Sequence, residues 1–191
     1  MKKSKDIRTK SLDDLKAFLA DNGEKAFRAK QIEQWLWQKH SPSFDDMSNL
    51  SKDLRELLKS EFVIEPSEIV MSQKSNDGTL KAAFKLYDGA NVEGVVIPTE
   101  NRFTACVSTQ VGCSLDCKFC ATGYLKRMRN MEAYEIVEQV YYLNALCEKE
   151  YGRRLTNIVY MGMGEPLLNY QNVLKSVDKI TDPRGLGFSP K

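Results

Sequence analysis

Three cysteines, Cys113, Cys117 and Cys120, stand in a C-x3-C-x2-C spacing that is well suited to chemistry. Three thiolates on one short loop can each ligate one iron of a four-iron cluster, leaving the fourth iron open to a small ligand. An amino acid's amine and carboxylate can chelate that open iron, which sets a sulfonium beside an electron donor. Zinc is the competing reading, because Cys106 could complete a tetrahedron of thiolates. Zinc ribbons and fingers, however, usually pair their cysteines in two separated C-x2-4-C knuckles. A redox disulfide is the third choice.

A second chemical feature follows the next β-like run: Met161-Gly162-Met163-Gly164-Glu165-Pro166. Two glycines let the backbone approach a ligand closely, and Glu165 offers a carboxylate to an ammonium or to ribose hydroxyls. Alone, such a stretch reads as a plain strand-to-helix turn. Coupled to the cysteine loop one unit earlier, it reads as half of a cofactor pocket.

The elements that must position these loops fall into two regimes. Residues 11–62 carry helical periodicity. Ser11 with Asp14 resembles a capping box ahead of Leu12, Leu15, Phe18 and Leu19, and Asn22-Gly23 stops that helix. A second helix is expected over 26–39, ended by Ser41-Pro42, and a third through Leu50, Leu54, Leu57 and Leu58. In the second helix Trp35 is expected to pack inward. Trp37 points away from it and could stack on a base or cover a seam, though core packing is the commoner role.

Near Pro66 the period changes. Residues 69–73, 80–87 and 92–97 read as strands separated by Asn76-Asp77-Gly78 and Asp88-Gly89, an antiparallel meander. From residue 105 the order becomes strand (105–109), cysteine loop, helix (133–149), strand (157–161), glycine loop, helix (171–180), which implies parallel βαβ units. The expected fold class is α/β, a partial (β/α) barrel truncated after about two βα units. The expected division is a helical domain over 1–64, a joining meander over 65–102 and the barrel portion over 103–191. Two units do not close a barrel, so the sequence reads as part of a larger fold.

The formal net charge is only +2, which excludes a wholesale polyanion-binding composition but not a local basic face. Through residue 61 there are 13 Lys and Arg against 11 Asp and Glu, the balance of an ordinary solvated surface. Within it, Lys2, Lys3, Lys5, Arg8, Lys10, Arg28, Lys30 and Lys39 could contact phosphates, and Lys126, Arg127 and Arg129 are better placed to flank the pocket. No apolar run approaches a membrane span, and the charged amino terminus precedes no leader-like stretch. Four of the five cysteines fall within residues 106–120, poor spacing for a disulfide framework and good spacing for a metal site in a reducing, cytoplasmic setting. Cys147 shares a helical face with Ile136, Val140 and Leu143 and is expected in the core.

The C-x3-C-x-Phe-C loop followed by Gly-Glu-Pro after the next strand resembles the radical S-adenosylmethionine superfamily. The flanking residues are narrower. The stretches Cys106-Val107-Ser108-Thr109-Gln110-Val111-Gly112-Cys113, Gly162-Met163-Gly164-Glu165-Pro166-Leu167-Leu168-Asn169 and Phe27-Arg28-Ala29-Lys30-Gln31-Ile32 resemble the RlmN family, dual-specificity enzymes that methylate C2 of adenosine in 23S ribosomal and transfer RNA. The resemblance implies a radical-type barrel behind a small helical RNA-recognition domain, one [4Fe-4S] cluster and S-adenosyl-L-methionine. It also implies a low-potential reductant such as flavodoxin or ferredoxin, and a monomer. In the family one cofactor molecule methylates a cysteine. A radical made from a second cofactor molecule activates that methyl, and the carbon adds to the base.

Carried onto this sequence, the resemblance makes Cys113, Cys117 and Cys120 the cluster ligands and sets Phe119 near the cofactor adenine. Gly164 and Glu165 become cofactor contacts, Glu93 the proton acceptor, and Cys106 the resolving cysteine of a transient disulfide. Taken without the resemblance, Glu93 would be an idle strand carboxylate and Cys106 a small packed hydrophobe. The methyl-carrying cysteine of the family lies in the C-terminal part of the barrel and has no counterpart here, which points to a fragment or a truncated relative. Two alternatives stand beside this reading: a Cfr-type enzyme methylating C8 of adenosine, and a noncatalytic RNA-binding or zinc-containing remnant.

Overall fold

The computed structural model describes residues 5–115 and 117–189, and the chain divides into two compact units, residues 1–65 with 181–191, and residues 66–180. Lys2 and Lys3, named above as phosphate contacts, lie outside the described residues.

In the first unit, α1 (Leu12–Asp21) begins with both halves of the expected capping box. The Ser11 hydroxyl accepts from the Asp14 N–H at 3.1 Å, and the Asp14 carboxylate accepts from the Ser11 N–H at 2.9 Å. Gly23, at φ 73°, turns the chain out of the helix. α3 (Lys52–Glu61) is capped by Ser51 and buries Leu54 and Leu58. The second helix differs from expectation. α2 (Arg28–Glu33) is short and widens into a π-turn over Gln34–Gln38, closed by the Lys39 N–H on the Gln34 carbonyl at 3.1 Å. The extra residue in that turn shifts the helical register. Trp37 therefore swings into the core, 7% exposed, and Trp35 is the half-exposed one. Trp35 donates its indole N–H to Asn49 at 2.6 Å and carries the Lys39 ammonium over its ring. The inward role given to Trp35 thus belongs to Trp37.

Two basic residues of this unit are also committed internally. Arg8, expected among the phosphate contacts, forks onto the buried Asp6 carboxylate at 2.8 and 2.7 Å and is 6% exposed. Arg28 donates to Gln31 and to the Asn49 carbonyl. His40, the one histidine of the sequence, sits at φ 48°, with burial and then the charge of Arg8 lowering its pKa to about 4.

In the second unit, β1 (Glu68–Lys74), β2 (Leu80–Lys85), β3 (Asn91–Pro98) and β4 (Phe103–Cys106) form an antiparallel run, as the turn signals predict. After β4 come β5 (Gln110–Val111) and β6 (Arg129–Asn130), a small ribbon of their own, then α4 (Ala133–Tyr151) and β7 (Asn157–Val159). β7 pairs parallel with β4, so α4 is the crossover of a βαβ unit, and α5 (Tyr170–Thr181) follows. The result is a mixed α/β unit with a five-stranded sheet in the order β1-β2-β3-β4-β7.

The two faces of that sheet differ. Ala82, Phe84, Val92, Val96 and Ala105 are buried on one, where α4 contributes Ile136, Val140, Leu143 and the expected core residue Cys147. A methyl at Gly94 would stand 3.0 Å from Leu143 and 3.0 Å from Phe84, so glycine there lets the helix close on the strand. The opposite face, carrying Lys81, Glu93, Val95, Cys106 and Val159 in register, is exposed to half-buried.

Arg129 does not face outward as expected. Its Nη1 and Nη2 bond both oxygens of buried Glu135 at 2.7 and 2.8 Å, its Nε bonds Asp88 at 2.7 Å, and its guanidinium lies over the Tyr87 ring. Burial would lower its pKa, but the bonds to Glu135 and Asp88 outweigh that and hold it above the ordinary arginine value. Glu135 also accepts the Glu132 N–H at 2.8 Å, capping α4. This fork ties the β2–β3 turn and β6 to the start of α4.

Two predictions follow from these buried charges. Arg129→Met leaves Glu135 buried and unpaired and is expected to cost about 3–5 kcal/mol in urea unfolding, with Arg129→Lys recovering little because one ammonium cannot make the bidentate fork. His40 stays neutral in the fold, so the folded state binds fewer protons than the unfolded one as pH falls. Its contribution is full above pH 6.5 and is lost between there and about 4, up to about 3 kcal/mol. The imidazole NMR titration should show the depressed pKa, and His40→Asn should flatten that part of the stability profile.

Candidate functional site

β4 ends sooner than its apolar pattern suggests, at Cys106, because Ser108, Thr109 and Gln110 leave the ladder to bond other segments. All three are at most 1% exposed. Burial favours hydrogen-bonding of the Ser108 and Gln110 side chains, while the Thr109 hydroxyl finds no partner among the described residues and only its backbone is bonded. The Gln139 side chain, from α4, accepts the Ser108 N–H at 2.9 Å and donates to the Ser108 carbonyl at 3.0 Å. The Ser108 hydroxyl donates to the Glu93 carbonyl at 2.6 Å and accepts the Met163 N–H at 2.9 Å. Asn169 donates to the carbonyls of Thr109 and Met131, both at 2.8 Å.

The cysteine loop leaves this knot through β5 and returns through β6. Met128 N–H bonds the Val111 carbonyl and Cys113 N–H the Leu125 carbonyl. Gly112, at φ 72°, would set a side chain against the Lys126 backbone, which explains glycine immediately before the first cysteine. Cys113, Cys117 and Cys120 are free and half-buried. The thiol of Cys113 accepts the Leu115 N–H at 3.4 Å. The Thr122 backbone, the Thr122 side chain and the Gly123 backbone hold the Cys120 pKa below the ordinary thiol value. Such donors favour thiolate, the form that ligates metal. Asp116, within the loop, lies outside the described residues.

The described residues gather no group of three or more His, Cys, Asp and Glu side chains suited to one metal ion. Thiolate is the form that either zinc or iron takes, and a four-iron cluster would take each of the three thiolates at a different iron. The donors that favour thiolate at Cys120 fit such a ligand.

The glycine loop lies directly against the knot. Thr109 and Gln110 both donate their N–H to the Met163 carbonyl, at 2.9 and 3.2 Å. A Cβ on Gly162 would fall 2.7 Å from the Val107 carbonyl carbon, and one on Gly164, at φ 91°, would meet the Gln110 side chain and stand 2.9 Å from the Gln110 backbone nitrogen. Glu165 is half-buried and accepts the Leu167 N–H at 3.0 Å, starting the 3-10 turn Pro166–Asn169. It serves there as a cap, in addition to any contact with a ligand.

Glu93 and Cys106 lie on the sheet face opposite α4. Cys106 pairs with Val95, two residues from Glu93, so the side chains are diagonal neighbours. Glu93 accepts from Lys81 Nζ at 2.9 Å. Cys106 is half-buried, and its burial pushes the thiol pKa up. Phe119 is 94% exposed on the cysteine loop, and Lys126 and Arg127, later in the same loop, are exposed.

Ser108, Gln110, Gln139, Asn169 and Lys81 were not among the residues expected at the site. For Ser108 and Gln110 the signal is an unbroken run of three polar residues between Val107 and Val111, which breaks the apolar–polar alternation of a strand; Gln139, Asn169 and Lys81 carry no such local signal.

Residues 6–64 match the family model "Ribosomal RNA large subunit methyltransferase N-terminal domain". The crystal structure of a radical SAM methyltransferase from Sphaerobacter thermophilus superposes with a TM-score of 0.80 at 38% identity, over 96% of this chain and 54% of that one. The fold is close to that of the corresponding part of this radical SAM methyltransferase structure. More narrowly, the chain is 55% identical over 189 residues to a probable dual-specificity RNA methyltransferase RlmN of Cytophaga hutchinsonii, covering 99% of this chain and 52% of that protein. It is 53% identical to the corresponding protein of Christiangramia forsetii, covering 54% of it. The resemblance to the RlmN family read from the motifs is borne out along the whole chain, which spans about half the length of the curated relatives it matches. No helix among the described residues is long and apolar enough to cross a membrane.

One substitution isolates the close approach of the two loops. Gly164→Ala and Gly89→Ala both force alanine to a positive φ, but nothing lies within 4 Å of the added methyl at Gly89. Urea unfolding is expected to show a loss of about 1–2 kcal/mol at Gly89, and about 1–3 kcal/mol more at Gly164 from the clash.

Proposed function

We propose that this chain belongs to an enzyme that methylates C2 of adenosine in 23S ribosomal RNA and transfer RNA by radical S-adenosylmethionine chemistry. The observation that carries the reading is the joining of the cysteine loop and the glycine loop, through backbone and buried polar bonds, at one end of adjacent parallel strands. The names of the relatives and the 38% identical structural neighbour support it.

In this reading Cys113, Cys117 and Cys120 would hold a [4Fe-4S] cluster, and Gly164, Glu165 and Phe119 would bind S-adenosylmethionine. Bound together, cluster and cofactor would supply the methyl and the one-electron route that an unactivated C2 carbon requires. Glu93 would accept the C2 proton at its carboxylate, with Lys81 holding that carboxylate in place. Cys106, on the same sheet face, would resolve the protein–RNA link through a transient disulfide. Lys126 and Arg127 would meet phosphates at the rim.

The sheet and its crossover would form part of a (β/α) barrel of the radical SAM type. The residues over 1–64 would serve as an RNA-recognition domain, 65–102 as a meander leading into the barrel portion at 103–191. A flavodoxin or ferredoxin would deliver the electron. The enzyme would work as a cytoplasmic monomer.

Protein purified and reconstituted without oxygen is expected to hold about four irons and four sulfides. Its reduced EPR spectrum should change on adding S-adenosylmethionine. One tightly held zinc with no cluster signal would sink the reading. Mass-spectrometric mapping of methyladenosine in 23S RNA, in cells with and without the gene, should find the C2 methyl missing when the gene is removed. Loss of a C8 methyl instead would overturn the regiochemistry.

A further inference from the structure

Gln110 is fully buried three residues before the first cysteine, and it touches both candidate cofactor loops. Its Oε1 accepts the Glu165 N–H at 2.9 Å, its backbone N–H donates to the Met163 carbonyl at 3.2 Å, and its Cβ occupies the space that Gly164 leaves by lacking one. Its Nε2 donates to Asn130 Oδ1 at 2.8 Å, and Asn130 donates in turn to the Leu168 carbonyl at 3.0 Å. Asn130 belongs to β6, the strand by which the cysteine loop returns, and Leu168 to the turn that Glu165 caps. One amide side chain therefore spans the outgoing strand of the cysteine loop, its returning strand and the glycine loop.

Backbone satisfaction alone does not require this residue. The Met163 carbonyl is already bonded by Thr109, and the β5–β6 ribbon pairs through its own backbone. What the Gln110 side chain adds, beside the bonds of Ser108, Asn130 and Asn169, is one amide that holds both strands of the cysteine loop in register with the glycine loop. An amide is well suited to that, because it offers an acceptor to one loop and a donor to the other in one rigid plane.

We infer that Gln110 is a positioning residue that couples the cysteine loop to the glycine loop and so sets how S-adenosylmethionine is presented to the cluster. The inference rests on the function proposed above. It assigns Gln110 no contact with the cofactor, and its effect passes through Glu165 and Asn130.

The test uses Gln110→Met, which keeps length and bulk while removing both polar contacts, and Gln110→Glu, which keeps the acceptor for the Glu165 N–H. Iron and sulfide content, cluster EPR and cofactor affinity from the EPR titration are measured for each beside the parent. Gln110→Met is expected to retain its iron and sulfide yet bind S-adenosylmethionine about tenfold more weakly, the scale of one lost buried hydrogen bond. The cofactor-induced spectral change should be diminished, and Gln110→Glu should recover part of the affinity. A Gln110→Met protein with intact cluster and parent-like affinity overturns the inference. So does one that loses iron in step with its cofactor response, since that is a structural role alone. A parent protein without iron overturns the proposed function itself, a result distinct from both.

Discussion

Two polar side chains, Ser108 and Gln110, are carried into the interior where β4 stops, and the architecture around the site answers that constraint. Buried amides and hydroxyls need partners, and no regular ladder can supply them once the strand has ended. The partners come from elsewhere in the sequence: Gln139 from α4, Met163 and Glu165 from the glycine loop, Asn130 from β6 and the Glu93 carbonyl from β3. Each bond draws one functional segment to the same end of the sheet. The polar requirement of a few atoms thereby becomes a spatial assembly whose bonded pairs include Ser108–Met163 and Gln110–Glu165, each 55 positions apart.

The sheet supplies the complementary constraint. Its α4 face is closed by apolar packing, and Gly94 removes the one Cβ that would hold the helix off. With that face committed, the alternation of a strand leaves Glu93, Val95 and Cys106 on the other. The same glycine that admits the helix thus fixes the side on which its neighbour, the candidate proton acceptor, is presented. The Arg129 fork then secures the returning end of the cysteine loop by a bidentate pair, a geometry that a lysine could not reproduce.

Much of this was legible in the sequence. The capping box at Ser11, the turns at Asp77-Gly78 and Asp88-Gly89, the long amphipathic helix with Cys147 inward and the order strand, loop, helix, strand all follow from local periodicity and turn chemistry. The misreadings have two causes. Trp35 is turned outward, and Trp37 takes the core position given as its commoner role, because a π-turn adds a residue that ideal helical spacing does not anticipate. Arg8 and Arg129, counted as surface cations, are buried because Asp6, Asp88 and Glu135 meet them in the fold.

By itself, then, the sequence determined the element types and the two chemical loops, since cysteine spacing, glycine placement and hydrophobic period act over a few residues. The tertiary structure decided which charges are paired inside, which face carries Glu93 and Cys106, and that Gln110 bridges the loops. Those outcomes depend on hydrogen-bond partners and packing surfaces far apart along the chain, and a short-range pattern holds no record of them.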